Sequence, residues 1–217
     1  IIFIGPNEKT LKTFGDKEKA KKLAQKLDIP TCLSVGPVQK NSDLLNFFKK
    51  IKKNKIILKA NFGGGGRGSR IVNKNEDVSE VLSLVKQEAK SFSGSNLVFA
   101  EEVIEDARHI EVQILGDGQS CIHLFERDCS FQRNFQKFIE FAPAPNLKFQ
   151  TKEKLYKYAV TLCKSVSYKG LGTVEFLVDK NEKIYFMEVN PRVQVEHTIT
   201  EQLTGSDLIR SQINVFC

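Results

Sequence analysis

Gly63-Gly64-Gly65-Gly66-Arg67-Gly68 is the strongest local signal in the chain, entered from the run Lys55–Asn61 and left through Ile71-Val72. Glycines let a backbone turn sharply and bring its N–H groups against an anion. No Gly-Lys-Ser/Thr follows, so this is not a Walker A loop. It lies between extended segments rather than opening a helix, so it is not a dinucleotide fingerprint. A Gly-rich loop between two strands suits a mobile flap over the phosphates of ATP; a flexible linker is the alternative. Lys59, on the strand entering the loop, is placed to reach phosphate oxygens as a point charge, or is a surface lysine of an edge strand.

Outward from the loop, periodicity predicts a compact α+β unit. Asp43–Lys53 reads as a helix, Lys55–Asn61 as a strand, Glu76–Lys90 as a helix and Leu97–Ala100 as a closing strand. Upstream, Ile1–Ile4 reads as a strand and Lys9–Asp28 as a helix in which Gly15 marks a break. Downstream, His109–Leu115 and Cys121–Glu126 form a hairpin across Gly116-Asp117-Gly118. Leu155–Ser167 reads as a helix, Thr173–Asp179 and Lys183–Asn190 as strands, and Asp207–Val215 as a last helix. The order predicts an α+β protein of two subdomains, a small lid and a larger catalytic part, with a cleft between them.

The 217 residues are 41% hydrophobic and 27% charged, the balance of a folded globular chain. No apolar run approaches the ~20 residues that span a bilayer, so no membrane partner is expected. No signal peptide is recognised, and without a starting Met the chain reads as a piece of a longer protein. The five cysteines are scattered, with no C-x-x-C pair, which excludes zinc ribbons and thioredoxin-like sites. They fit a reducing compartment, cytoplasm or mitochondrial matrix. Net charge is +7, with a basic run at Lys49–Lys55. Without interleaved aromatics or arginine the run reads as a solvated helix end, not a nucleic-acid site.

Thr173-Val174-Glu175-Phe176-Leu177 and Phe186-Met187-Glu188-Val189-Asn190 each place an acid inside an apolar strand. A two-residue turn at Asn181-Glu182, closed by Lys180 and Lys183, sets Glu175 opposite Glu188. Like charges there repel unless neutralised, and two Mg²⁺ ions with oxygen ligands would do so. Asn190 joins the same face by alternation; acids at a solvated strand edge are the alternative. In Arg192-Val193-Gln194-Val195-Glu196-His197, an extended backbone turns Arg192, Gln194 and Glu196 to one face. Arg192 suits bidentate grip on a small oxyanion, Glu196 suits proton abstraction, and His197 reads as structural.

Together with these, Phe3-Ile4-Gly5-Pro6, Phe14-Gly15-Asp16-Lys17, Arg108-His109-Ile110-Glu111-Val112-Gln113, Glu126-Arg127-Asp128-Cys129-Ser130, Ala142-Pro143-Ala144-Pro145-Asn146-Leu147 and Thr204-Gly205 resemble biotin carboxylase, in family order and across essentially the whole chain. The resemblance implies an ATP-grasp fold. It implies the end of a preceding domain and linker helix over 1–31, a lid over 32–102 and the large subdomain over 103–217, ending before a C-terminal part. It implies ATP contacts from Lys17, Lys59, Gly64, Gly65, Gly66, Glu101, His109 and Gln132. Mg²⁺ or Mn²⁺ would be held by Glu175 and Glu188 with Asn190 close by, and bicarbonate by Arg192, Gln194 and the backbone of Val195. Glu196 is then the base, with Arg192 and Lys137 as its catalytic companions and Lys137 near the transferred phosphoryl group. The implied reaction is carboxylation of biotin on a carrier domain through carboxyphosphate, serving a carboxyltransferase, in a possible homo-oligomer. Two positions depart from the family pattern, Glu102 and Phe135. They motivate the alternative of a degraded nucleotide-binding module without turnover.

Overall fold

The computed structural model describes residues 2–60, 69–74, 76, 78–133 and 136–217. The glycine loop, with Gly64, Gly65 and Gly66, and Phe135 lie outside the described residues. The chain divides into two compact units. The larger holds residues 1–31, 106–133 and 137–217; the smaller holds 32–105 and 134–136.

The chain opens with α1 (Glu8–Gly15) and α2 (Lys17–Lys26) in the larger unit. The helix expected over Lys9–Asp28 is two helices. Asp16 sits in extended conformation between them, and its carboxylate accepts from the N–H groups of Glu18 and Lys19, capping α2. Ile2 to Ile4, expected as a strand, carry no strand assignment and are exposed. No strand among the described residues pairs with them, and an unpaired strand has nothing to satisfy its backbone.

The smaller unit follows: β1 (Ser34–Val35), α3 (Asn41–Ile51), β2 (Lys55–Ala60), β3 (Ser69–Asn73), α4 (Val78–Ser93) and β4 (Val98–Glu102). Its sheet has the order β1-β4-β2-β3, antiparallel throughout. Leu44, Phe47 and Phe48 of α3 and Val85 of α4 bury against Ile56, Leu58, Val98 and Ala100.

The chain then returns to the larger unit with β5 (Arg108–Asp117), β6 (Cys121–Arg133), β7 (Gln136–Phe141), α5 (Phe149–Lys164), β8 (Lys169–Val178), β9 (Ile184–Asn190), α6 (His197–Thr204) and α7 (Leu208–Phe216). The sheet order is β7-β6-β5-β8-β9. Ile110, Val112 and Ile114 of β5 and Val174, Phe176 and Val178 of β8 face one side, in a core shared with Leu155, Ala159 and Leu162 of α5. This period-2 alternation leaves the residues between them for the other face.

Two bulges decide what that other face carries. The β8–β9 turn is not the expected two-residue turn. The Asp179 carboxylate accepts from the N–H groups of Asn181 and Lys183, and Asp179 N–H donates to Lys183 O. Three residues therefore lie inside the turn, with Glu182 at φ 62°. That shifts the ladder by one, so Phe176 pairs with Phe186. A bulge at Met187 then restores the offset, and Glu175 pairs with Glu188. The expected pairing stands because two departures cancel. The β5–β6 ladder does the same: Ile114 pairs with His123 but Val112 with Glu126, with Phe125 at φ 64° inside the bulge. Before the bulge, Cys121 packs in the α5 core and His123 stacks on Tyr156 of α5. Beyond it, Glu126 takes that side, bonded to Tyr156 and Lys152, and Arg127 turns to the opposite one.

Candidate active site

The face opposite α5 carries a transverse row of four charged residues, one per strand. Arg127 pairs with Glu111, Glu111 with Glu175, and Glu175 with Glu188. Three carboxylates side by side repel, and the chain supplies cations against them. Arg127 Nε donates to Glu111 Oε1 at 2.5 Å, with both side chains fully buried. Lys17, the first residue of α2, lies 3.1 Å from Glu188 Oε2. Lys137 of β7 donates to Glu111 Oε2, to Glu175 Oε1 at 3.0 Å and to Glu196 Oε1 at 2.6 Å. An ammonium has three donors, and here each meets a different carboxylate. Arg127, Lys17 and Lys137 thus bring three cations to the row.

Burial disfavours a charged Lys137, but the Glu175 and Glu111 carboxylates overcome it and hold the ammonium well above the ordinary lysine range. Burial likewise pushes Glu175 upward, yet the hydrogen bond and charge of His109, with Lys137, bring it far below the usual carboxylate range. His109 Nε2 lies 2.7 Å from Glu175 Oε2, and Gln132 Nε2 lies 2.6 Å from His109 Nδ1 and 2.8 Å from Cys129 O. Glu175 thus faces the Nε2 edge of the ring and the Gln132 amide its Nδ1 edge. Burial lowers the His109 pKa, but the hydrogen bond and charge of Glu175 raise it above the ordinary histidine value overall.

Asn190 donates to Glu175 Oε1 at 2.7 Å and accepts from Arg192 Nη2 at 3.2 Å. Gln194 Nε2 lies 3.2 Å from the same Glu175 oxygen, while Gln194 Oε1 is buried with no partner among the described residues. Arg192 is exposed and Val195 is 91% exposed.

The extended reading of 192–196 needs correction. Glu196 has φ −73° and ψ 1° and stands at the N-cap of α6, a helix the alternation did not predict. The His197 N–H donates to Gln194 O, closing a turn. Gln194 reaches the carboxylates through that turn, and Glu196 reaches Lys137 from the start of the helix. Burial raises the Glu196 pKa, but Lys137 outweighs it and holds the carboxyl below its usual range.

The larger unit thus brings Lys17, His109, Gln132, Lys137, Glu175, Glu188, Asn190, Arg192, Gln194 and Glu196 to one linked set. Lys59 and Glu101 belong to the smaller unit, where Lys59 Nζ lies 2.7 Å from Glu101 Oε2. Glu102 also has a local role there. Its carboxylate accepts from Leu33 N–H and from Lys53 Nζ, each at 2.9 Å, and Lys53 also donates to Val103 O. It ties the segment entering the smaller unit to the one leaving it. Sequence reasoning gave no role to Glu111 or Arg127. For Glu111 a signal was present, a charge between apolar Ile110 and Val112; Arg127 stands between Glu126 and Asp128 and shows no such alternation.

Over residues 16–216 the chain matches the family described as carbamoyl-phosphate synthase L chain, ATP binding domain. The chain belongs to this family. Within it, the chain is an ATP-grasp domain of the biotin carboxylase kind. It is 49% identical to pyruvate carboxylase of Bacillus subtilis (strain 168) over 217 residues, 99% of this chain and 19% of that protein. The biotin carboxylase of Campylobacter jejuni, solved as a complex with β-γ-ATP, superposes with a TM-score of 0.95 at 40% identity. The match covers 99% of this chain and 48% of that one. The biotin carboxylase domain of Hydrogenobacter thermophilus 2-oxoglutarate carboxylase, solved with MgADP, ADP and bicarbonate, gives 0.94 at 37% identity, with the same coverage. The ATP-grasp domain described here therefore spans about a fifth of the curated carboxylase and about half of each solved chain.

Proposed function

We propose that this domain carries the ATP-dependent carboxylation of biotin by bicarbonate, the first half-reaction of a biotin-dependent carboxylase. The observation that carries the reading is the meeting of Lys137 with Glu111, Glu175 and Glu196. Arg192, Gln194 and the backbone of Val195 would hold bicarbonate. Glu196, a carboxylate at neutral pH, would take its proton. The freed oxygen forms its bond to the γ-phosphorus of ATP as the bond to ADP breaks, giving carboxyphosphate. Lys137 stands ready to stabilise the charge on the moving phosphoryl group. Positioning and charge neutralisation supply most of such catalysis. Lys17, Lys59, Glu101, His109, Gln132 and the glycine loop would bind the nucleotide. Carboxyphosphate then breaks its C–O bond to phosphate, releasing phosphate and CO2; deprotonated biotin on a carrier domain would capture the CO2, and the carboxyl group would go onward to a carboxyltransferase.

The oxygen donors of Glu175, Glu188 and Asn190 suit a hard cation. Mg²⁺ or Mn²⁺ bound there would neutralise phosphate charge. A reading without turnover is less well supported, because Glu102 has a local partner set and the residues around Lys137 are complete. Among the described residues no helix is long and apolar enough to cross a membrane. The five free cysteines are consistent with cytoplasm or mitochondrial matrix. The test is phosphate release by the full-length protein with free biotin, with and without bicarbonate. Release that does not depend on bicarbonate overturns the proposal.

A further inference from the structure

Arg127 has no place in the chemistry above, yet it is the largest fully buried side chain described. Four of its five N–H donors have protein partners. Nε donates to Glu111 Oε1, Nη1 to Gln113 Oε1 at 2.8 Å and to Thr200 Oγ1 at 2.7 Å, and Nη2 lies 3.3 Å from Thr173 Oγ1. All four partners are themselves buried.

A buried arginine stays charged and costs desolvation, and apolar residues of like volume often serve stability as well. Three of its partners are neutral and need no cation. The fourth is Glu111, and the second oxygen of Glu111 binds Lys137. The fork therefore fixes which oxygen Glu111 turns to Lys137. Thr200 adds a second tie. It lies on α6, one turn beyond Glu196 at the N-cap, so the bond to Thr200 holds the start of that helix against β6. One planar group thus bonds one of the three carboxylates at the Lys137 ammonium, Glu111, and the helix whose N-cap is another, Glu196.

We infer that Arg127 is a positioning residue of this active site, setting Glu111 and the α6 helix start so that Lys137 and Glu196 meet. The inference rests on the proposed roles of Lys137 and Glu196. It is tested on the full-length protein with Arg127→Met, Arg127→Lys and Thr200→Val. Misplacement of catalytic groups by about 1 Å costs on the order of 10²-fold in rate. Arg127→Met should therefore lower kcat for bicarbonate-dependent phosphate release about 10²-fold, with the KM for MgATP within about twofold. Arg127→Lys, which keeps the charge and loses the fork, should recover part of that. Thr200→Val should show the same split with a smaller loss. Hydrogen exchange supplies a readout independent of turnover: amides of α6 should exchange faster in Arg127→Met and Thr200→Val, while those of β8 should not. A kcat within about threefold of wild type in Arg127→Met, or α6 exchange unchanged in both variants, overturns the inference. If Arg127→Met does not fold, Arg127→Lys and Thr200→Val decide by the same measures. If wild type shows no bicarbonate-dependent release, the proposed function falls and α6 exchange alone decides whether Arg127 positions the helix.

Discussion

The two sheets of this protein are built on opposite terms. In the smaller unit the buried side chains described are, Cys32 apart, hydrocarbon, from Leu44 and Phe48 to Val98 and Ala100. Every buried polar or charged residue among those described lies in the larger unit, including Glu111, Arg127, Glu175, Gln194 and Thr200. A hydrocarbon core asks only for volume and shape. A buried charged row asks that each group find its partner, because one left alone costs far more than the pair returns. One sheet tolerates approximation, and the other is specified group by group.

The sharpest way to break that contrast is Glu196→Gln. In the larger unit it should reduce bicarbonate-dependent ATP cleavage by about 10²–10⁴-fold, the usual contribution of a general base. MgATP binding, followed by calorimetry, should persist. Equal phosphate release from wild type and variant removes Glu196 as the base. Next in size is Leu58→Ala in the smaller unit. Leu58 is fully buried, and the cavity should cost about 2–5 kcal/mol in urea unfolding. A loss below about 1 kcal/mol would mean that the hydrocarbon sheet is held by something other than packing.

Smaller again is Asp16→Ala, which removes the cap between α1 and α2 and should cost ~1 kcal/mol. The smallest effect is one of pH. The folded pKa of Glu196 is lowered by Lys137, so its pairing contributes stability above the unfolded value of about 4.3 and loses it as pH falls. The stability gap between wild type and Glu196→Gln should be nearly constant from pH 7 to 5 and narrow below about 4.3. A gap that widens on acidification contradicts the Lys137 pairing.

How far these features could be read from sequence followed the same division. Helices α3 and α4 and strands β2 and β4 stand close to where apolar periodicity puts them, because their cores are what that periodicity records. The pairing of Glu175 with Glu188 was legible, but its route was not: the Asp179 turn and the Met187 bulge cancel, and alternation carries no sign of either. Strand β7 was missed because Gln136-Lys137-Phe138-Ile139-Glu140-Phe141 does not alternate, and Phe138 is 77% exposed. Helix α6 was missed because Val193, Val195 and their polar neighbours mimic a strand up to the residue before it begins. Arg127 and Glu111 were invisible as a pair because their meeting depends on a bulge across a hairpin.

The bulges at Phe125 and Met187 work as slip joints. Each lies between a hairpin turn and the row Arg127–Glu111–Glu175–Glu188. Between turn and bulge a strand keeps one phase, and beyond the bulge it keeps the other. A change in the length of either turn is taken up at the joint before it reaches the charges. Asp117–Ser120 and Asp179–Lys183 are therefore the places where this sheet can gain or lose a residue without re-aiming its chemistry. A residue inserted on the far side of either joint, next to the row, would turn a charge into the core.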